Sequence, residues 1–150
     1  MKRILSVLLI AILVCSASGC GNCRSTDYAA GDVSDVQIDY GDSEMYTTED
    51  MDAAIYMIKE KFRDFRGCTL HRVYYVSDAE CNDANVQWLN ELEEANDAKA
   101  HFTQCILFES DFHTGKRNDD GFTEDTDYTH WHWWLGRSDG GDWKLMTWGY

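Results

Sequence analysis

The chain has 150 residues, with 13 Lys and Arg against 27 Asp and Glu, a formal charge of −14 and 44% apolar residues. That length holds one domain of ordinary size around a single core. The charge excludes nucleic acid as a partner, because phosphate backbones repel a polyanion and binding would release no counterions; cations, basic peptides and neutral sugars stay within reach.

Residues 1–19 read as a secretory leader. Lys2 and Arg3 form a basic head, an apolar run from Ile4 to Val14 follows, and Ala17-Ser18-Gly19-Cys20 supplies small residues before a cut. The run is too short to span as a mature helix. Its ending on Gly19-Cys20 resembles the lipobox of bacterial lipoproteins, with Ala17 where leucine is usual. The resemblance implies that Cys20 becomes the lipidated first residue. The protein is then extracytoplasmic, and the membrane is a partner through acyl chains on Cys20. Losing Lys2 and Arg3 with the leader makes the mature chain more acidic still.

Residues 20–46 are rich in Gly, Ser and Asp with isolated apolar residues, and read as a flexible tether. Val33, Val36, Ile38 and Tyr40 alternate weakly, the one hint of a docked strand within it. The domain is expected over 47–150. Thr47-Thr48-Glu49-Asp50 offers hydroxyl caps and acidic first-turn residues for a helix start. Met51, Ile55, Ile58, Phe62 and Phe65 then recur on one stripe, predicting a long helix over about 48–66 that Gly67 terminates. Residues 68–77 carry Thr69, Val73, Tyr74, Tyr75 and Val76 and predict a strand. Asn82 or Asp83 caps a second helix through Val86, Leu89, Leu92 and Asn96. Residues 102–112 form the next strand, with Cys105-Ile106-Leu107-Phe108 apolar on both faces and so central in a sheet. A polar loop follows over 115–127. Strands over 128–137 and 143–148 close the chain, joined by the hairpin Ser138-Asp139-Gly140-Gly141-Asp142.

The expected fold class is α+β, in the order helix, strand, helix, strand, strand, strand, with the long helix packed on a curved antiparallel sheet. The opening helix with Phe65-Arg66-Gly67-Cys68, the run Leu107-Phe108-Glu109-Ser110-Asp111-Phe112, and Gly140-Gly141-Asp142-Trp143-Lys144-Leu145 with Trp148-Gly149-Tyr150 carry a resemblance. They look like short, uncharacterised lipoproteins of Gram-positive gut bacteria whose domain is NTF2-like or cystatin-like. The resemblance implies a fold and a location and transfers no catalytic residue, since that scaffold hosts many functions.

Of six cysteines, Cys15 leaves with the leader and Cys20 takes lipid, which leaves Cys23, Cys68, Cys81 and Cys105 in a compartment that permits disulfides. Four cysteines allow three pairings. Antiparallel pairing of the strands over 68–77 and 102–112 would bring Cys81 and Cys105 together at adjoining strand ends and leave Cys68 at the far end.

Tyr128-Thr129-His130-Trp131-His132-Trp133-Trp134 is the most unusual stretch. On a strand His130 and His132 project from one face, where two imidazoles can grip a metal ion, with His101, Glu109, Asp111 and His113 as sources of a third ligand. The bland reading puts both histidines on the wetter face of a sheet whose other face buries Trp131 and Trp133. Trp131, Trp133 and Trp148 are also the residues expected to form a ligand surface, since indole rings stack on apolar ligand faces. The acidic run from Asn118 through Asp127 fails EF-hand spacing. Neither a GxSxG nucleophile nor a phosphate-cradling glycine loop occurs, and no cofactor is expected. The function expected is a binding or interaction module that takes an extracellular protein or small ligand through its sheet face. The rival is a metal-dependent or pocket enzyme built on His130 and His132.

Overall fold

The computed structural model describes residues 28–118 and 121–150. Thr47 caps the first helix, α1 (Thr48–Phe62), in a capping box: its hydroxyl accepts from Asp50 N while the Asp50 carboxylate accepts from Thr47 N. Two orphan N–H groups are thereby satisfied at one helix end. Met51, Ile55, Ile58 and Phe62 are buried on one stripe as the spacing predicts, with Ala54 beside them and Phe65 beyond the helix end. The helix stops at Phe62, four residues short of its expected end, because the chain tightens into turns that fold Phe65 back under the sheet. Phe65 N bonds Phe62 O at 2.8 Å, and Gly67 N is taken by Ala29 O instead of by the helix. Gly67 sits at φ +75°, and a Cβ there would fall 2.1 Å from Arg117 O, so only glycine fits.

The sheet runs in the order β1 (Gln37–Asp39), β2 (Cys68–Tyr75), β3 (Gln104–Thr114), β4 (Thr126–Arg137), β5 (Lys144–Gly149). A short 3-10 turn (Asp78–Glu80) and helix α2 (Asp83–Ala95), capped by the Asn82 side chain, connect β2 to β3. Pairing from β2 to β5 is antiparallel, but β1 pairs with β2 in parallel, so the five-stranded sheet is mixed.

Among the described residues the fold is therefore α+β with two α-helices, and its order corrects the expected one by placing a strand before α1. The tether assignment for 20–46 is corrected by the same strand. Gly31 N bonds Arg63 O at 2.9 Å, Asp32 N donates to Cys68 O and Asp32 O accepts from Leu70 N at the start of β2, and Tyr46 is buried. The segment docks because Gly31 has no side chain: a Cβ there would meet Phe62 O at 2.1 Å. Residues 20–27 lie outside the described residues, as does the leader. No helix among the described residues is long and apolar enough to cross a membrane.

The register assigns the two faces. Val73 and Tyr75 of β2, Ile106, Phe108, Ser110 and Phe112 of β3, and Trp133 and Leu135 of β4 face α1 and fill the core. Phe62 meets Phe65 and Phe112 with ring centroids 5.1 and 5.5 Å apart. Trp133 is fully buried and donates its indole N–H to Ser110 Oγ at 2.8 Å. On the opposite face α2 covers one end, where Trp88 meets Trp134 edge-on and Leu89 is buried. The rest of that face is open.

Candidate functional site

Register brings Tyr74, Glu109 and His132 into one row across the open face: Tyr74 pairs with Glu109, and Glu109 with His132. A bulge adds the fourth member. Between the pairs Ser110–Trp131 and Phe112–Tyr128, β4 sets Thr129 and His130 against Asp111 alone, which bends the strand and redirects a side chain. His130 takes φ +57°, a left-handed conformation costing a non-glycine residue about 1–2 kcal/mol. Its backbone N donates to Asp111 Oδ1 at 3.3 Å. Such strain persists only where the surroundings enforce it, and it is common at functional positions.

Glu109 organises the group. Its Oε2 lies 2.6 Å from His130 Nδ1 and accepts from the Tyr74 hydroxyl at 2.9 Å, while Oε1 lies 3.3 Å from His132 Nε2. The Glu109 side chain is 14% exposed and that of His130 72%. Burial pushes the Glu109 carboxyl up, but hydrogen bonds from His130 and Tyr74 and the charges of the two histidines outweigh it and hold it below the usual range. Burial, with Glu109 next to it, pushes the Tyr74 phenol up. Whenever the His130 ring carries one proton, a carboxylate against Nδ1 places that proton there and turns Nε2 outward as an acceptor. The face thus presents a carboxylate, a phenol and oriented imidazoles, with Arg72 stacked at 4.7 Å on Tyr74 and tied to Asp39 at 2.5 Å.

His130 and His132 share a face as expected, but what joins them is Glu109. Among the described residues no group of three or more His, Cys, Asp and Glu is arranged to hold a metal ion. Of the other proposed ligands, His113 is engaged with Asp127 at 2.8 Å and Asp125 at 3.4 Å. The His101 carbonyl accepts from the Ser138 hydroxyl. The ligand surface is corrected at Trp133, whose complete burial in the core leaves it nothing to present. Trp131 and the 40% exposed Trp148 do line a shallow cleft with Lys61, Asp64, Phe65 and Phe122 on the α1 side, and Trp148 also borders the recess beside His132. Lys61 Nζ sits 4.5 Å over the Trp148 ring, so a cation already occupies that indole face. Cys81 and Cys105 lie close as free thiols, Cys105 Sγ standing 3.8 and 3.9 Å from the carbonyls that flank Cys81, and Cys20 is outside the described residues.

The recess beside His132, lined by Trp88, Trp134, Thr147 and Tyr150 among others, holds about 110 Å³. Pockets that enclose small molecules run to roughly 300–1,000 Å³. A larger groove of about 670 Å³ lies between α1 and the β4–β5 hairpin. Polar groups on its floor are bound to one another, Arg137 to Asp50 at 2.5 Å and the Trp143 indole N–H to Asp50 O at 2.9 Å. The open face therefore carries the better chemistry, on a surface and not in a cavity. Sequence reasoning found His130 and His132 and named Glu109 only as a spare ligand. It missed Tyr74, although strand alternation could have found it, since a tyrosine paired with a glutamate on a half-wet face needs a reason.

Comparison with known proteins found no matching family model, no similar curated protein and no similar solved structure.

Proposed function

We propose that the chain is a lipid-anchored binding module, held outside a bacterial cell membrane by acyl chains on Cys20, which takes a cationic ligand across the open face of its sheet. The observation that carries the ligand class is the Glu109 carboxylate clasped by Tyr74, His130 and His132. It fixes one imidazole with its acceptor nitrogen outward, beside Asp111 and on a chain of charge −14. Acceptors beside carboxylates suit an ammonium or guanidinium donor, and long-range attraction would speed its arrival. An extracellular protein with a basic segment fits this surface better than an enclosed small molecule does. The finer fold reading is NTF2-like or cystatin-like, supported by one helix laid along the core face of an antiparallel β2–β5 sheet. With it goes the likeness to short Gram-positive lipoproteins, which rests on the sequence runs quoted above.

Two measurements test the proposal. Cys20→Ala should move the protein from the membrane fraction to the soluble fraction, because an acidic domain supplies no electrostatic attraction to anionic lipid once the acyl chains are gone. Persistent attachment would refute the anchor. For the site, calorimetric titration should show a Lys- and Arg-rich peptide binding, more weakly as salt rises, while an acidic peptide of equal length does not bind. Glu109→Gln should weaken that binding about tenfold or more, the loss of one charge-assisted contact. His130→Gly should weaken it too while leaving the fold as stable or more so, since glycine relieves the left-handed backbone. Binding indifferent to both substitutions would remove the face from consideration.

A second reading is favoured by the 2.6 Å contact between Glu109 and His130, the arrangement of a carboxylate-oriented general base. Its weakness is the open setting, which leaves solvent in contact with any reacting group.

A further inference from the structure

We propose that Cys81 and Cys105 form an exchangeable disulfide, with Cys81 as the sulfur that attacks and is attacked. The geometry is specific. Cys81 ends the 3-10 turn before α2, and Cys105 is the second residue of β3, under the start of that helix. Cys105 Sγ lies 3.8 Å from Glu80 O and 3.9 Å from Asn82 O, the carbonyls on either side of Cys81. Both are buried free thiols, placed so that each shifts the other's ionisation. Cys68 pairs with Thr114 at the opposite end of β2 and takes no part. This inference is independent of the binding face and of the anchor.

The two sulfurs differ in environment. Cys105 is completely buried, whereas Cys81 retains 7% exposure. The Tyr75 hydroxyl stands 3.3 Å from Cys81 Sγ and donates to Asp78 Oδ1 at 2.7 Å, so it donates to a thiolate there only on leaving Asp78. The neighbouring Cys105 thiol, with the Tyr75 hydroxyl, holds the Cys81 thiol below its ordinary range despite its burial. The same contact, with burial, pushes Cys105 up. Thiolate is the nucleophile of disulfide exchange, so Cys81 reacts first. Its thiolate attacks one sulfur of an external disulfide, expels the other as a thiolate and forms a mixed disulfide. Cys105 then gives up its proton and attacks the Cys81 sulfur, and the S–S bond to the external group breaks. Two electrons pass to the external disulfide, which leaves as two thiols carrying the two protons. The bond closes the loop from Cys81 to Cys105 and ties the start of α2 to the sheet.

The experiment treats the full mature chain with oxidised glutathione, blocks remaining thiols and maps peptides without reduction. The wild type should yield a peptide pair joined through Cys81 and Cys105. Cys105→Ser, lacking the resolving sulfur, should retain glutathione on Cys81, and Cys81→Ser should show none on Cys105. Wild-type protein with both cysteines separately blocked would overturn the disulfide. Glutathione on Cys105 in Cys81→Ser would overturn the assignment of the attacking sulfur.

Discussion

Truncating Phe62 to alanine is expected to destabilise the domain by about 3–5 kcal/mol, the range for large aromatic deletions in cores. Phe62 is completely buried at the last turn of α1, against Phe65 and Phe112, and the backbone of Gly31 runs close by. Its ring therefore holds three things together: the helix, the sheet and the docked N-terminal segment. Tight packing around it leaves little room for the site to collapse once the ring is gone. Glu60→Ala on the exposed side of the same helix, paired with Arg63 at 3.1 Å, should cost under about 0.5 kcal/mol, as exposed helix pairs do. Chemical denaturation of the two variants makes the comparison. Equal losses would mean that α1 does not rest on this core.

Removing the Asp50 carboxylate is the second large effect, expected at about 3 kcal/mol for Asp50→Ala. Asp50 serves two partners at once. One oxygen closes the capping box with Thr47, and the other binds Arg137 Nη1 at 2.5 Å. Arg137 is itself buried, stacked 4.3 Å from the Trp143 ring centroid and 5.6 Å from that of Tyr46, and among the described residues would retain the Gln104 amide oxygen at 2.7 Å as its side-chain acceptor. A buried guanidinium that loses its counter-charge is costly, and a lost cap adds to it. Replacing both partners, Asp50→Ala with Arg137→Met, should restore part of the loss, because no charge is then left unpaired.

The pH dependence has a definite sign. The hydrogen bond from Arg137 holds the Asp50 carboxyl below its ordinary value of 3.8. The folded state therefore favours the carboxylate, and Asp50 contributes stability above that ordinary value and loses it as pH falls through the lower folded value. Denaturation midpoints measured down the acid range should fall less steeply in Asp50→Ala than in wild type. Parallel slopes would show that the Arg137 contact does not shift the carboxyl.

Much of α1 can be read directly, because capping and a 3,4 apolar spacing are local properties of consecutive residues. The same holds for the pairing of β3, β4 and β5, where alternation and a glycine-rich hairpin constrain register. The His130 face is a different case. Simple alternation would put Tyr128, His130 and His132 on one side. The bulge opposite Asp111 breaks that count, so Tyr128 turns inward to stack on Phe112, interplanar angle 4°, while His130 points out to Glu109. Nothing local to 128–132 announces an extra residue in a ladder whose partner lies some twenty positions away.

By itself the sequence determined the elements whose signals repeat every two or four residues: the buried stripe of α1, the capped α2, the apolar β3, and the shared face of His130 and His132. The leader and the lipid on Cys20 are expectations drawn from the sequence. Tertiary structure alone decided that 29–46 docks, that β1 runs parallel to β2, that Trp133 is core while Trp148 stays exposed, and that Glu109 gathers Tyr74 and the histidines. Each of these depends on a contact between residues far apart in the chain, such as Gly31 on Phe62 O or Tyr74 beside Glu109. Local periodicity carries no information about such partners, since burial and pairing energy are set by what arrives opposite a residue and not by its neighbours in sequence.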